Sequence, residues 1–202
     1  MARREDRLRS FVMVNPPGLE ILRIDALGSR VGGVARPAGL PVTFVRGALP
    51  GESVVCRMLS EHGSFRTAGL VEIVEASPER VRPECPLFGT CGGCTLQHLS
   101  YRSQIEWKGR WVESALRKIP GVRPDGTIAS PLAMGYRNRV SFDVVGGRTG
   151  LHMRAGDPVP VQDCPLLNGE GRRIHAALSE HDLSFCRRVS VRAPSSGGAG
   201  MV

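Results

Sequence analysis

The chain has 202 residues, 41% of them hydrophobic and 5% aromatic, with 25 glycines and 15 prolines, which fits one large domain or two to three small ones and favours short strands and turns over long helices. Its net charge of +8 and pI near 9.8 point to a polyanionic partner. No run reaches the ~18 apolar residues of a membrane span, and no apolar core of signal-peptide length follows the charged start Met1–Ser10, which excludes a membrane partner and leads us to expect a cytoplasmic protein.

The kind of charge is informative. Lys108 and Lys118 are the only lysines among 27 basic residues. The guanidinium forks of the remainder suit phosphate contacts and base stacking, although codon composition produces the same bias. Residues 1–16 read as a loose basic arm. From Pro17 to about Ala76 the pattern is one of strands. Leu19-Glu20-Ile21-Leu22-Arg23-Ile24 partly alternates apolar and polar, and glycines punctuate Leu27–Ala35. Val42–Val45 and Ser53–Leu59 bracket a turn at Leu49-Pro50-Gly51-Glu52, and Gly69–Glu75 closes the set. Five short strands in about sixty residues predict a small barrel of the oligonucleotide-binding type, with a small sandwich or SH3-like barrel as the alternative. Ser77–Pro83 reads as a linker.

A cysteine cluster follows. Five residues separate Cys85 from Cys91, and Gly92-Gly93 separates Cys91 from Cys94, with Gln97-His98 just beyond. A fourth cysteine, Cys164, stands seventy residues after Cys94, in Asp163-Cys164-Pro165. A Cys-x-x-Cys unit with Gly-Gly inside predicts a tight turn that brings two sulfurs to one point. Four thiolates suit tetrahedral zinc or an iron–sulfur cluster. One tight pair with two outlying ligands leans towards iron–sulfur, because structural zinc sites more often carry two tight pairs. Buried packing or disulfides are the bland alternatives, and the lack of an export signal argues against disulfides. Cys56 and Cys186 stand alone and read as structural.

The clearest helix is expected from about Tyr101 to Ile119. Ile105, Val112, Leu116 and Ile119 form its apolar face, Ser103 and Glu106 have capping-box spacing, and Pro120-Gly121 ends it. Its basic face reads as solvated. A hairpin follows, with Arg137, Asn138 and Arg139 at its mouth, a turn at Gly146-Gly147 and a returning strand at Gly150–Arg154. After Cys164 come a helix near Glu170–Ser179 and a strand at Arg187–Arg192. Ser195–Gly200 reads as a hairpin turn and Met201-Val202 as the opening of a partner strand, as if the chain stopped mid-hairpin.

Taken together, Cys85…Cys91-Gly-Gly-Cys94…Gln97-His98, Gly135-Tyr136-Arg137-Asn138-Arg139 and Asp163-Cys164-Pro165 resemble the RNA (uracil-5-)-methyltransferase family, over roughly residues 17 to 202 and closer to its ribosomal-RNA than its transfer-RNA branch. The resemblance implies a TRAM domain, an OB-like RNA-binding β-barrel, at 17–76. It further implies a 4Fe–4S segment at 77–100, with Cys85, Cys91, Cys94 and Cys164 as ligands. An incomplete α+β central domain would fill 101–202. In that family a C-terminal Rossmann-like domain binds S-adenosyl-L-methionine, and a cysteine thiolate there adds to carbon 6 of uracil before methylation of carbon 5. The base must first leave its stack.

That catalytic half is absent from the sequence, which shows no strand, Gly-rich turn and helix with a downstream acidic residue. No catalytic residue is carried over, and the chain alone is expected to be inactive. Arg137 and Arg139 are the leading candidates for RNA phosphate contact, with Arg30 and Arg46 in the barrel after them. Gln97 and His98 are placed to hydrogen-bond cluster sulfurs, a satisfied structural histidine being equally open for His98. The partner is expected to be RNA, bound by a monomer. The alternative is a stand-alone RNA-binding module with a 4Fe–4S or zinc site and no catalysis.

Overall fold

A computed structural model describes residues 18–153, 156–193 and 200–201. The basic arm and nearly all of the Ser195–Gly200 turn lie outside the described residues. The chain forms two compact units that divide between Pro78 and Glu79.

The first unit is one six-stranded sheet built from β1 (Leu19–Arg23), β2 (Ala26–Gly28), β3 (Gly32–Ala35), β4 (Val42–Arg46), β5 (Ser53–Glu61) and β6 (Phe65–Glu75), in the order β1-β5-β6-β4-β3-β2. Only Ile24 and Asp25 separate β1 from β2, yet these strands occupy opposite edges, so the sheet has to curl. The crossing is hydrogen-bonded on both sides: Ile24 N–H donates to Glu52 O at 2.9 Å and Asp25 N–H to Val34 O at 2.8 Å. Leu22, Ile24, Val45, Val54, Cys56 and Ala68 fill the inside of the curl. The described residues form a curled sheet of six strands, not five, and its ladders do not close into the small barrel that the sequence led us to expect. Strand pairing is non-local, and the parallel β4–β6 ladder could not be read from strand count.

Two buried charges are fully engaged, as burial requires. Glu52 accepts the Leu49 N–H at 2.8 Å and the Ser77 N–H at 3.3 Å, tying the turn before β5 to the exit of the unit. Arg66 makes a two-pronged pair with Glu20 at 2.9 and 3.0 Å and donates through Nε to Thr43 Oγ1 at 3.1 Å.

The second unit carries a five-stranded antiparallel sheet in the order β11-β10-β7-β8-β9, made of β7 (Arg139–Val145), β8 (Arg148–His152), β9 (Pro158–Pro160), β10 (Arg188–Arg192) and β11 (Gly200–Met201). Alternation along β7 turns Val140 and Phe142 inward, onto Leu167, Leu178, Leu183, Val189 and Val191. The β7–β8 hairpin turns at Gly146 and Gly147, with φ of +56° and +74°, the left-handed pair that a tight two-residue hairpin needs. Helix α2 (Gly169–Leu178) starts at Asn168, whose side chain accepts the Gly171 N–H at 2.8 Å.

Helix α1 runs from Tyr101 to Leu116 and differs from expectation in two respects. Its N-cap is Ser100, which accepts the Ser103 N–H, while the Ser100 and Ser103 hydroxyls both donate to Glu79. The expected Ser103/Glu106 capping box is thus displaced by a cap from residues upstream. Nor does the apolar stripe pack as a core face: Val112 is 50% exposed, Ser103 is the helix's only buried residue, and Ile119, expected on this face, lies beyond the helix's end at Leu116. Periodicity reports amphipathicity, not the presence of a neighbour.

His175 on α2 lies flat against Phe142, with ring centroids 4.3 Å apart and planes 2° from parallel. Thr149 Oγ1 lies 2.8 Å from His175 Nε2 and 3.3 Å from the Val161 carbonyl oxygen, so the ring is held by a hydrogen bond as well as by stacking. Burial pushes the His175 pKa down, with Asp163 pulling partly back. The unfolded chain therefore takes a proton near pH 6.5 that the folded chain refuses until lower pH, so stability is full above about 6.5 and falls below it. Urea unfolding at pH 7.5 and 5.0 is expected to show this loss, and His175→Phe is expected to reduce it.

Candidate functional site

The three clustered cysteines lie on a loop held by its own backbone. Phe88 N–H donates to Cys85 O at 3.1 Å and Cys91 N–H to Leu87 O at 2.9 Å, which wraps residues 85–91 into consecutive turns. The left-handed residue of this loop is Gly89, at φ +89°. Gly93, expected to make the tight turn, lies outside the left-handed region and instead sends its N–H to Cys91 Sγ at 3.4 Å.

Two long-range backbone contacts fasten the loop to the rest of its unit. Cys91 bridges Met153, and Gly92 N–H donates to His152 O at 2.9 Å. On the other side, Arg137 N–H donates to Leu166 O and Asn168 N–H to Arg137 O, both at 2.8 Å. The segment that carries Cys164 is thereby laid beside the start of the hairpin.

Cys85, Cys91, Cys94 and Cys164 consequently line one cavity of about 60 Å3, with Arg137 at its side and Phe88, Leu151 and Val161 in its apolar wall. Among the described residues, no set of three or more His, Cys, Asp or Glu side chains converges tightly enough to hold a metal ion. The four thiols surround a space; they do not meet at a point.

Burial pushes the Cys94 thiol up, against a hydrogen bond from Gln97 and the nearby Arg137 guanidinium. Cys164 is likewise pushed up by burial, while the Leu166 and Leu167 amides and Arg137 favour its thiolate. Gln97 is held in place by its other end, where Oε1 accepts the Cys85 N–H at 3.1 Å. Its buried Nε2 meets no acceptor of ordinary geometry and is the end left for Cys94. His98 is buried with its ring tilted on Phe88, centroids 5.1 Å apart.

The arginines separate by environment. Arg139 is exposed at the start of β7, whereas Arg137 is half-buried at the cysteine cavity. Sequence reasoning had not foreseen Arg137 beside the thiols. The difference is non-local: Arg139 opens β7, whereas Arg137 lies just before it and bridges Leu167, on the segment that carries Cys164. Arg30 and Arg46 are both exposed, at the same end of the curled sheet, since Gly33 pairs with Val45 and places the β2–β3 turn beside the end of β4.

Cys56 and Cys186 take no part in the cavity. Cys56 is buried and donates to Glu20 O at 3.4 Å, and Cys186 donates to Leu183 O at 3.4 Å. Burial, reinforced by Glu20 and opposed by Arg66, pushes Cys56 up to about 11.

No protein-family model matches the chain. It is 44% identical over 143 residues to the 23S rRNA (uracil(1939)-C(5))-methyltransferase RlmD of Stenotrophomonas maltophilia, a match covering 68% of this chain and 31% of that protein. The RlmD of Ralstonia nicotianae is 43% identical over 161 residues, covering 74% of this chain and 36% of the relative. Over these stretches the chain is similar to the RNA (uracil-5-)-methyltransferases. It spans about a third of the length of the curated relatives that it matches. The fold also resembles the crystal structure of Pyrococcus abyssi tRNA (uracil-54, C5)-methyltransferase in complex with S-adenosyl-L-homocysteine, with a TM-score of 0.57 at 23% identity, over 88% of this chain and 43% of that one. No described helix is long and apolar enough to cross a membrane.

In the native protein Cys56 is expected to resist iodoacetamide at pH 8, since only a minute thiolate fraction exists three pH units below its pKa and the sulfur is covered. Peptide mapping after alkylation, with and without urea, checks this; rapid native modification would contradict the buried placement.

Proposed function

We propose that this chain is the RNA-gripping and cluster-carrying part of an S-adenosyl-L-methionine-dependent RNA (uracil-5-)-methyltransferase acting on 23S ribosomal RNA in the cytoplasm. The observation that carries the reading is the gathering of Cys85, Cys91, Cys94 and Cys164 around one small cavity, in a chain whose relatives are named for that activity. Residues 17–76 serve as the TRAM-like RNA-binding unit, 77–100 as the cysteine segment and 101–202 as the central domain.

The donor set fits a 4Fe–4S cluster. A zinc ion needs its four sulfurs at about 2.3 Å from one centre, whereas each iron of a cubane takes its own thiolate and the sulfurs stand around it. Four thiols around a cavity suit the second arrangement. When bound, the cluster supplies positive charge and covalent cross-links, not methyl-transfer chemistry. This chain's own residues prepare the site. The free Nε2 of Gln97 is the end left for the Cys94 sulfur, the Leu166 and Leu167 amides favour the Cys164 thiolate, and Arg137 adds charge that favours thiolates. Groups just outside a metal's ligands commonly orient and tune them in this way. Arg139, Arg30 and Arg46 are the exposed cations assigned to RNA phosphates, and S-adenosyl-L-methionine belongs to a part of the enzyme that these residues do not form.

Anaerobic purification of the chain is expected to yield a brown protein with iron and acid-labile sulfide in equal amounts, about four of each per chain. Cys164→Ser should lose the colour, while Cys186→Ser should keep it. A colourless protein loaded with zinc would overturn the cluster assignment. The same preparation is expected to bind ribosomal RNA with a steep salt dependence and to incorporate no methyl group from labelled S-adenosyl-L-methionine; incorporation would overturn the assignment of catalysis to another part of the enzyme.

A further inference from the structure

A second cavity lies beside the cysteine loop within the same unit. It is a groove of about 270 Å3, floored by Gly93–Gln97 and walled by α1 on one side and the Ala133–Tyr136 segment on the other. This volume falls just below the range of pockets that hold drug-sized ligands, which matches a single nucleotide better than a large cofactor.

The wall chemistry narrows the ligand. Tyr101 is fixed because its hydroxyl accepts the Ser130 N–H at 2.8 Å and donates to Ser130 O at 3.2 Å. Tyr136 stands 50% exposed on the opposite wall, an aromatic face available for stacking. Gln104 spends its amide hydrogens on Leu96 O and Leu99 O, at 3.1 and 2.9 Å, so its carbonyl oxygen is the end that a ligand can use. Arg82 and Lys108 also line the groove, and neither forms an ion pair among the described residues. Glu84 is the one carboxylate in the lining.

Free cations, a half-exposed aromatic ring and an amide acceptor together are the makings of a single-stranded nucleic acid site, where base stacking and backbone charge act jointly. We infer that this groove holds one unstacked nucleotide of the bound RNA, its base on Tyr136 and its phosphate between Lys108 and Arg82. The inference rests on the proposed RNA-binding function and adds a position to it.

The test uses the anaerobically purified chain and a fluorescein-labelled single-stranded uridine decamer, followed by anisotropy over a salt series. Tyr136→Ala is expected to weaken binding roughly 5- to 100-fold, the usual effect of removing a stacking ring, and Tyr136→Phe to restore it. Lys108→Ala should lower the salt slope by about 1. Crosslinking of a 4-thiouridine decamer to the wild-type chain provides a check independent of folding, with adducts expected on peptides that contain Tyr136 or Tyr101–Lys108. If the wild type binds the decamer while both variants leave affinity and slope unchanged and adducts fall elsewhere, the groove assignment fails and the RNA-binding function stands. If the wild type binds neither the decamer nor ribosomal RNA, both fail together.

Discussion

Four sulfurs from two distant stretches share one cavity, and the second unit is arranged around that fact. Cys85, Cys91 and Cys94 belong to one loop, but Cys164 reaches them only because backbone ladders bring its segment back. The Arg137–Leu166 and Asn168–Arg137 hydrogen bonds lay the Cys164 segment along the start of β7, while the Gly92–His152 bond ties the cysteine loop to the end of β8. The hairpin between these fastenings is the spacer that sets the distance across the cavity. Closing so long a loop is entropically costly in an unfolded chain, and ligand bonds across the cavity would offset that cost.

The surroundings of the thiols show what kind of occupant they await. Burial raises Cys94 and Cys164, and thiolates in an apolar wall are unfavourable without compensating charge. The compensation present in the protein is partial: one guanidinium, one side-chain amide and two backbone amides. A cationic inorganic group would supply the rest, as bound metals do at coordinating thiols. Cys56 is the instructive contrast. It is more deeply buried, has a carbonyl to donate to and takes no part in the cysteine cavity, so it behaves as a small hydrophobe.

The first unit solves a different problem. A short six-stranded sheet has two edges, and here the Ile24–Asp25 crossing links the two edge strands through only two residues, which forces the curl. Glu52, fully buried, and the Arg66–Glu20 pair hold the curl from inside and from its rim. The outer end bearing Arg30 and Arg46 is left free of such internal obligations, which is the condition for a surface that contacts a polyanion.

Much of this was legible in the sequence because it is local. The Gly146-Gly147 turn, the helix near Glu170 and the strand near Arg187–Arg192 each depend on neighbours a few residues away, and each is present. The likeness of three motifs to one enzyme family was likewise a matter of residues in order. What only the tertiary structure decided is non-local. The β4–β6 pairing makes a curled sheet instead of the five-stranded barrel, Glu79 takes over the start of α1, and Val112 remains exposed despite its helical spacing. Arg137 turns into the cysteine cavity while Arg139 turns out. A sequence lists donors, charges and apolar faces, but it cannot say which of them meet, because that depends on ladders formed between residues far apart along the chain.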